Sequence, residues 1–104
     1  MNELRIIYTT IDDSIKAKKL AKDLIKGGLV ACVNIIPGMI SVYEWEGRVE
    51  EESECLLIIK TLASKVNDLQ TKLLELHHYE LPEFIVLNPA DVSRDYHSWI
   101  IGQV

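Results

Sequence analysis

The segment from His77 to Glu83 is the part of the sequence richest in groups that could bind a metal ion. It reads His-His-Tyr-Glu-Leu-Pro-Glu, with two imidazoles, a phenol and two carboxylates. Neutral imidazole nitrogens and carboxylate oxygens are ligands that suit zinc and copper. The spacing matches no strong metal motif, so by itself it is more typical of a helix terminus, where histidine lies near the negative end of the dipole, followed by a polar loop.

A second group of candidate residues is acidic. Six of the sixteen Asp and Glu residues lie between positions 44 and 54. Glu50, Glu52 and Glu54 alternate along the chain, so on a strand they share one face at about 7 Å spacing, too wide for a preformed metal cage. The pattern favours a solvated strand, although acidic sites attract cations. Tyr43 and Trp45 either line a pocket or pack against a neighbouring strand or subunit.

Support for catalysis is thin. Cys32 and Cys55 lie in apolar runs, which raise the pKa of a thiol, and no serine or cysteine lies in a nucleophile signature. No glycine-rich phosphate loop is present, because Gly27-Gly28 closes a helical pattern. Lys60 ends an apolar strand, and it is either a functional cation or a lysine whose stem covers apolar surface. We therefore expect a protein that is not an enzyme.

The composition predicts one ordinary globular domain over residues 1–104. Hydrophobic residues make up 48% and charged residues 26% of the chain. No apolar run approaches the roughly 20 residues of a membrane helix, and the N-terminal residues lead into a strand pattern rather than a signal peptide. A net charge of −5 argues against nucleic acid as a partner. We expect a cytoplasmic protein with reduced cysteines and no membrane partner.

Side-chain periodicity predicts strands and helices in alternation. The expected elements are a strand at 4–10, a break at 11–14, a helix to about 26, a hairpin at 29–61, a helix from 64 to 76, a strand at 84–87 and a last helix from 91 or 93. The Asp and Ser oxygens of the break, Asp12, Asp13 and Ser14, can cap the first helix. Glu46-Gly47 is the expected turn of the hairpin. In the first helix Ala17, Leu20, Ala21, Leu24 and Ile25 form an apolar face. Ser64 is the expected cap of the second helix. This order is the α+β, ferredoxin-like split βαβ sandwich, with helices on one face of an antiparallel sheet and no cover on the other.

The hairpin is too long for a domain of this size. Each arm spans roughly 45–55 Å when extended, whereas the domain diameter is about 35 Å. Pro37-Gly38 is the expected bend, since proline removes a ladder donor and glycine often marks a bulge. Beyond it, Ile40 and Val42 are too apolar to stand alone in water. A projecting ribbon of this kind predicts association with further copies of the chain.

Several motifs together resemble the CutA divalent-cation tolerance family. They are Ala31 to Gly38, Ser41-x-Tyr43-x-Trp45-Glu46-Gly47, Leu57 to Thr61, Tyr79-x-x-Pro82-Glu83 and Asp95-Tyr96-x-x-Trp99. The resemblance covers nearly the whole chain and implies a ferredoxin-like homotrimer in which long hairpins and sheet edges pack between subunits. It also implies cytoplasmic proteins that bind divalent cations, often copper, with no established reaction, and an architecture similar to that of trimeric PII signalling proteins.

The resemblance also implies a set of metal ligands. The copper sites proposed for the family use the histidine of a His-Pro-Tyr segment and the glutamate of the following Pro-Glu, which match His77 and Glu83. A further cysteine ligand of the first strand corresponds to Tyr8, and phenol is a poorer ligand for soft metals than thiolate. His78 stands where the family has proline, and it could either supply a replacement nitrogen or merely loosen the loop.

Two functional hypotheses follow from these residues. The first is a trimeric protein that binds a divalent cation, Cu(II) above all, through His77, Glu83 and His78, with no metal required for folding. The second is a PII-like signalling module, in which an inter-subunit cleft lined by Trp45, Tyr79 and Lys60 holds an anion or a small metabolite. A third interpretation is a stable trimer that serves only as an interaction scaffold.

Overall fold

A long β-hairpin forms one side of a four-stranded antiparallel sheet in the computed structural model, which describes residues 2–104. The strands are β1 (Leu4–Ile11), β2 (Cys32–Trp45), β3 (Arg48–Leu62) and β4 (Ile85–Leu87), and the helices are α1 (Ser14–Lys26), α2 (Val66–Leu76) and α3 (Arg94–Gln103). The strand order is β2-β3-β1-β4. This arrangement confirms the predicted α+β, ferredoxin-like class.

Helix α1 begins and ends at the residues that the sequence indicated. The Asp13 Oδ1 atom accepts the backbone N–H groups of Ile15 and Lys16 at 2.7 and 3.0 Å, which satisfies two amides that have no partner within the helix. Gly28 follows the helix with φ +71°, a conformation that glycine adopts without a steric penalty. The predicted apolar face is wrong at one position, since Ile25 is 47% exposed.

The main core lies between the sheet and the two helices α1 and α2. Ile7, Leu57 and Ile59 point from the central strands into this core, where they meet Leu24 and Leu69, and all five side chains are fully buried. Alternation along each strand therefore assigns one sheet face to these helices. The remaining face carries the side chains at positions 6, 58 and 60.

Two expectations about the later helices are wrong. Ser64 does not cap α2, because it lies inside a 3₁₀ turn (Ala63–Lys65) that precedes the helix, and its backbone N–H donates to Asn2 Oδ1 at 3.1 Å. The second sheet face is also not bare along its whole length. Helix α3 covers one end of it, where Ile100 is buried against Leu4 and Leu62. A C-terminal helix can pack on either face of the sheet, and the periodicity of its sequence does not predict which face it covers.

A bulge at Pro37-Gly38 confirms the predicted bend in the hairpin. Ile36 pairs with Leu56 and Met39 pairs with Glu54, so two residues of β2 lie opposite the single residue Cys55. Gly38 takes a φ of +77° there. The hairpin then projects beyond the domain, in agreement with the molecular extents of 45 × 27 × 22 Å.

The bulge also changes which residues share a face of the hairpin. Beyond it, Ser41 lies opposite Glu52 and Tyr43 lies opposite Glu50, so these side chains line one face. The opposite face is apolar and exposed, with Ile40 at 68% and Val49 at 75% exposure. One projecting ribbon thus presents an acidic, aromatic face and an aliphatic face.

Candidate functional site

A cleft of about 750 Å³ lies between the projecting hairpin, the end of β1 and the loop that follows α2. The hairpin contributes its acidic and aromatic face, and the loop contributes residues 79–81 and Glu83. The lining residues are Thr10, Asp12, Ser41, Val42, Tyr43, Trp45, Glu50, Glu52, Glu54, Tyr79, Glu80, Leu81 and Glu83. The volume is that of a small-molecule site.

The lining of this cleft is strongly acidic. Six carboxylates surround it, and no lysine or arginine of residues 2–104 is among the lining residues. Burial raises the pKa of the Glu83 carboxyl, and the charge of Glu54 raises it further. The pKa of the Tyr43 phenol is raised by burial and then by Glu52, Glu54 and Glu50. Each shift has the direction expected beside accumulated negative charge.

Glu54 is the most enclosed carboxylate of the cleft. Its side chain is only 8% exposed, and its Oε2 atom accepts a hydrogen bond of 2.7 Å from the Tyr79 hydroxyl. Burial and this carboxylate together raise the pKa of the Tyr79 phenol, so the hydroxyl keeps its proton and acts as the donor. The bond attaches the loop to β3 at the residue just beyond the last pair with β1, which joins Ile11 and Cys55.

His77 lies beneath the cleft and holds the start of the loop. Its Nε2 is 2.7 Å from the carbonyl oxygen of Thr10, and its Nδ1 accepts the backbone N–H of Tyr79 at 3.1 Å. Because a carbonyl oxygen only accepts, Nε2 carries the proton and the ring is the neutral Nε2–H tautomer. The side chain is 7% exposed, so both ring nitrogens are engaged inside the protein.

This environment makes the stability of the protein depend on pH. Burial lowers the pKa of His77 below its ordinary value of 6.5, although the Thr10 carbonyl opposes the shift. The unfolded chain therefore binds a proton more readily than the folded one. We expect the free energy of unfolding to fall as the pH drops through about 6.5 toward the folded-state pKa.

Urea denaturation at a series of pH values in metal-free buffer measures this dependence. His77→Gln removes the titrating group, so its stability should depend less on pH than that of the wild type between pH 7.5 and 5. His97→Gln is the control, since His97 is a partly exposed histidine whose ring nitrogen forms a hydrogen bond with the Asn2 carbonyl. An unchanged pH dependence in the His77 variant would contradict the assignment.

His78 adjoins the cleft through Asp12, and its own side chain lines a separate depression beside α1 with Lys16 and Lys19. Its Nε2 is 3.2 Å from Asp12 Oδ1, so the ring is oriented by a carboxylate that also lines the cleft. Within residues 2–104, however, no three His, Cys, Asp or Glu side chains are grouped as a metal site requires. The candidate donors are therefore not arranged as a finished coordination sphere.

The structure brings most of the sequence-predicted residues to one place. Trp45, Tyr79 and Glu83 line the cleft, and His77 and His78 belong to the adjoining loop. Lys60 does not join them, because its Nζ lies over the ring of Tyr96, 5.6 Å from the centroid.

Two residues of the site were missed as site residues. Glu54 was grouped with the solvated strand, and Asp12 was read only as part of a helix cap. Alternation had already placed Glu54 on the correct face, but its burial depends on the loop that folds over it.

No helix in residues 2–104 combines the length and apolar character needed to cross a membrane. This observation agrees with the absence of a long apolar run in the sequence.

Comparison with known proteins assigns the chain to a family. The family model of the CutA1 divalent ion tolerance protein matches residues 5–103. The chloroplastic protein CutA of Arabidopsis thaliana is 43% identical over 95 residues, which are 91% of this chain but only 52% of that protein. The divalent-cation tolerance protein CutA of Thermus thermophilus is 37% identical over 91% of this chain and 92% of its own length.

Solved structures show the same architecture. CutA from Xylella fastidiosa superposes with a TM-score of 0.94 at 36% identity, covering 97% of both chains. CutA1 from Ehrlichia chaffeensis gives a TM-score of 0.95 at 28% identity, covering 99% of this chain and 96% of the other. The chain therefore belongs to the CutA1 divalent ion tolerance family.

Proposed function

We propose that this member of the family is a homotrimeric protein that binds divalent cations, with Cu(II) as the preferred metal, and that it is not an enzyme. The observation that carries the proposal is the cleft with six carboxylates beside two histidines. The negative electrostatic potential of such a site attracts cations, in addition to any direct coordination by its side chains. The metal is cargo for the protein and is not required for its folding.

The proposed ligands differ in how readily they reach a metal ion. Glu83 lines the cleft directly, and His78 has a ring nitrogen, Nδ1, that makes no hydrogen bond within residues 2–104. His77 has both nitrogens engaged and must release either Thr10 or Tyr79 to coordinate. We infer that Glu83 and His78 bind first and that His77 completes the site when the loop rearranges or a second subunit contributes.

Titration calorimetry with Cu(II) tests this assignment. We expect His78→Ala and Glu83→Gln each to weaken Cu(II) binding by about tenfold, because each removes one donor from a site with few protein ligands. His77→Gln should also weaken binding while retaining a polar side chain. His97→Ala is the matched control, since it removes a histidine elsewhere in the fold and should bind like the wild type.

Two outcomes would refute the ligand set. Wild-type affinity in both the His78 and the Glu83 variants would show that these side chains do not hold the metal. An equal loss in the His97 control would show that the titration reports surface histidines in general.

The trimer is supported by apolar surface that one chain leaves uncovered. Ile40 and Val49 lie on the outer face of the hairpin, and Ile36 and Ile85 lie on the second sheet face beyond α3, all at least 46% exposed. A contiguous exposed apolar surface indicates a protein interface. Neighbouring copies that pack hairpin against sheet would cover both areas.

A cytoplasmic location and a single domain over residues 1–104 are part of the proposal. The two free cysteines, Cys32 and Cys55, agree with a reducing compartment. The names of relatives refer to other compartments, since one is called chloroplastic and a structure from Archaeoglobus fulgidus is called periplasmic.

A PII-like signalling role is the second candidate function. The volume of the cleft favours it, because the space fits a small molecule with Trp45 and Tyr79 in its wall. The predicted anionic ligand fits less well, since Lys60 lies elsewhere and carboxylates line the cleft. A cationic ligand would be compatible with both candidate functions.

A further inference from the structure

The loop between α2 and β4 is anchored at both ends and attached to the hairpin at one point between them. His77 holds its start against the end of β1, and Phe84 packs against the main core at its end. Between these anchors, the Tyr79 hydroxyl donates a hydrogen bond of 2.7 Å to Glu54 Oε2 on β3. Among residues 2–104, no other hydrogen bond joins positions 78–83 to the hairpin. A segment of this kind can open locally when its single intermediate attachment is released.

In this closed arrangement the three candidate ligands of the proposed function do not face one point. Glu83 lines the cleft, whereas His78 lines the separate depression beside α1. Both ring nitrogens of His77 are engaged, one by the Thr10 carbonyl and the other by the Tyr79 backbone N–H. A metal ion needs its donors within about 2–2.6 Å of one point, so the loop must move before these side chains can share an ion.

Tyr79 carries two of the contacts that oppose this movement. Its backbone N–H occupies the Nδ1 atom of His77, and its hydroxyl is held by Glu54. A rearrangement that frees Nδ1 shifts the Tyr79 backbone and therefore acts on both contacts. Glu54 is only 8% exposed, and a hydrogen bond to a buried charged acceptor is among the stronger ones. The closed loop is thus stabilised by a contact that the open loop gives up.

We propose that the Tyr79–Glu54 hydrogen bond is a latch that holds residues 78–83 closed beside the cleft and thereby opposes the binding of a divalent cation. The inference rests on the proposed function, because the cation is the ligand of the open loop. The apparent affinity is then reduced in proportion to the small fraction of molecules in which the loop is open. By linkage, a bound cation weakens the latch by the same factor, so occupancy is transmitted to the hairpin through Glu54.

Tyr79→Phe removes the latch hydroxyl and keeps the aromatic ring. Titration calorimetry of the full-length chain with Cu(II) should give binding about tenfold tighter than in the wild type, because the hydrogen bond no longer favours the closed loop. Tyr96→Phe is the matched control, since it removes a tyrosine hydroxyl on α3 that forms no hydrogen bond within residues 2–104. It should bind Cu(II) within about twofold of the wild type.

Glu54→Leu separates release of the latch from the charge of the cleft. It removes the acceptor of the same hydrogen bond together with one negative charge, and circular dichroism checks that the variant is folded. A latch predicts binding about threefold tighter than in the wild type, although the charge is lost, whereas electrostatic attraction alone predicts weaker binding. Tighter binding in this variant also shows that the gain in Tyr79→Phe does not come from Glu54 acting as a new ligand.

Hydrogen exchange in metal-free buffer measures the loop without any cation. The backbone N–H of residue 79 donates to His77 Nδ1 in the closed loop. It should exchange about tenfold faster than in the wild type in both latch variants, Tyr79→Phe and Glu54→Leu, because the loop opens more often. In Tyr96→Phe it should exchange at the wild-type rate.

The outcomes distinguish the latch from the metal assignment. Cu(II) binding in Tyr79→Phe that is no tighter than in the wild type, or weaker binding in Glu54→Leu, would overturn the latch and leave metal binding intact. Unchanged exchange at residue 79 in both latch variants would also overturn it. Absence of Cu(II) binding in the wild type and in every variant would instead refute the proposed function and, with it, this role of the latch.

Discussion

Replacing His77 with alanine is expected to lower the free energy of unfolding by about 2–4 kcal/mol. The ring is 93% buried and joins three parts of the fold: the end of α2, the end of β1 through the Thr10 carbonyl, and the loop through the Tyr79 amide. Alanine leaves a cavity and removes the side-chain partner of the buried Thr10 carbonyl and of the partly buried Tyr79 amide. Both effects destabilise the folded state.

The same substitution should release the loop from the hairpin. His77 Nδ1 holds the backbone N–H of Tyr79, whose hydroxyl donates to Glu54. Once that support is lost, the Tyr79–Glu54 bond weakens as well, so the damage extends to the cleft. We therefore expect His77→Ala to lose more stability than Tyr79→Phe, which removes one hydroxyl and about 1–3 kcal/mol.

Urea denaturation at fixed protein concentration measures the effect, because unfolding of an oligomer depends on concentration. His97→Ala is the control: its ring is also bonded to a backbone carbonyl, that of Asn2, but it is less buried and holds only the N-terminus. It should cost about 0.5–1.5 kcal/mol. A loss in His77→Ala no larger than in this control would show that His77 does not hold the loop.

The elements that follow local rules could be predicted from the sequence. The cap at Asp13, the turn at Glu46-Gly47 and the bend at Pro37-Gly38 each depend on neighbouring residues, and the structure confirms all three. The ferredoxin-like order followed from the periodicity of strands and helices. The candidate cleft lies between the loop and the hairpin that the sequence analysis singled out.

The remaining features depend on contacts between distant residues. Helix α3 covers one end of the sheet because Ile100 packs against Leu4 and Leu62. The hydrophobic periodicity of the sequence does not predict this contact. The burial of Glu54 arises from Tyr79, which is 25 residues away. The engagement of both His77 nitrogens likewise needs the end of β1 in place, so an accessible metal ligand and a buried structural histidine look alike in sequence.

The hairpin is expected to control assembly. Ile40 and Val49 are 68% and 75% exposed on its outer face, and removing both from water at an interface would be favourable. We predict that light scattering of the wild type gives about three times 11.9 kDa. The double variant Ile40→Lys/Val49→Lys should give a monomer, because two lysines would have to be buried without partners.

A control substitution on another surface distinguishes a specific effect on assembly from a general effect on solubility. Ile15 on α1 is 77% exposed, so Ile15→Lys makes the same kind of change away from the hairpin and should leave the trimer intact. Circular dichroism should show that the hairpin variant keeps its secondary structure, since neither side chain contributes to the core of one chain. A wild type that is monomeric at micromolar concentration would refute the assembly, and a trimeric double variant would exclude this face as the interface.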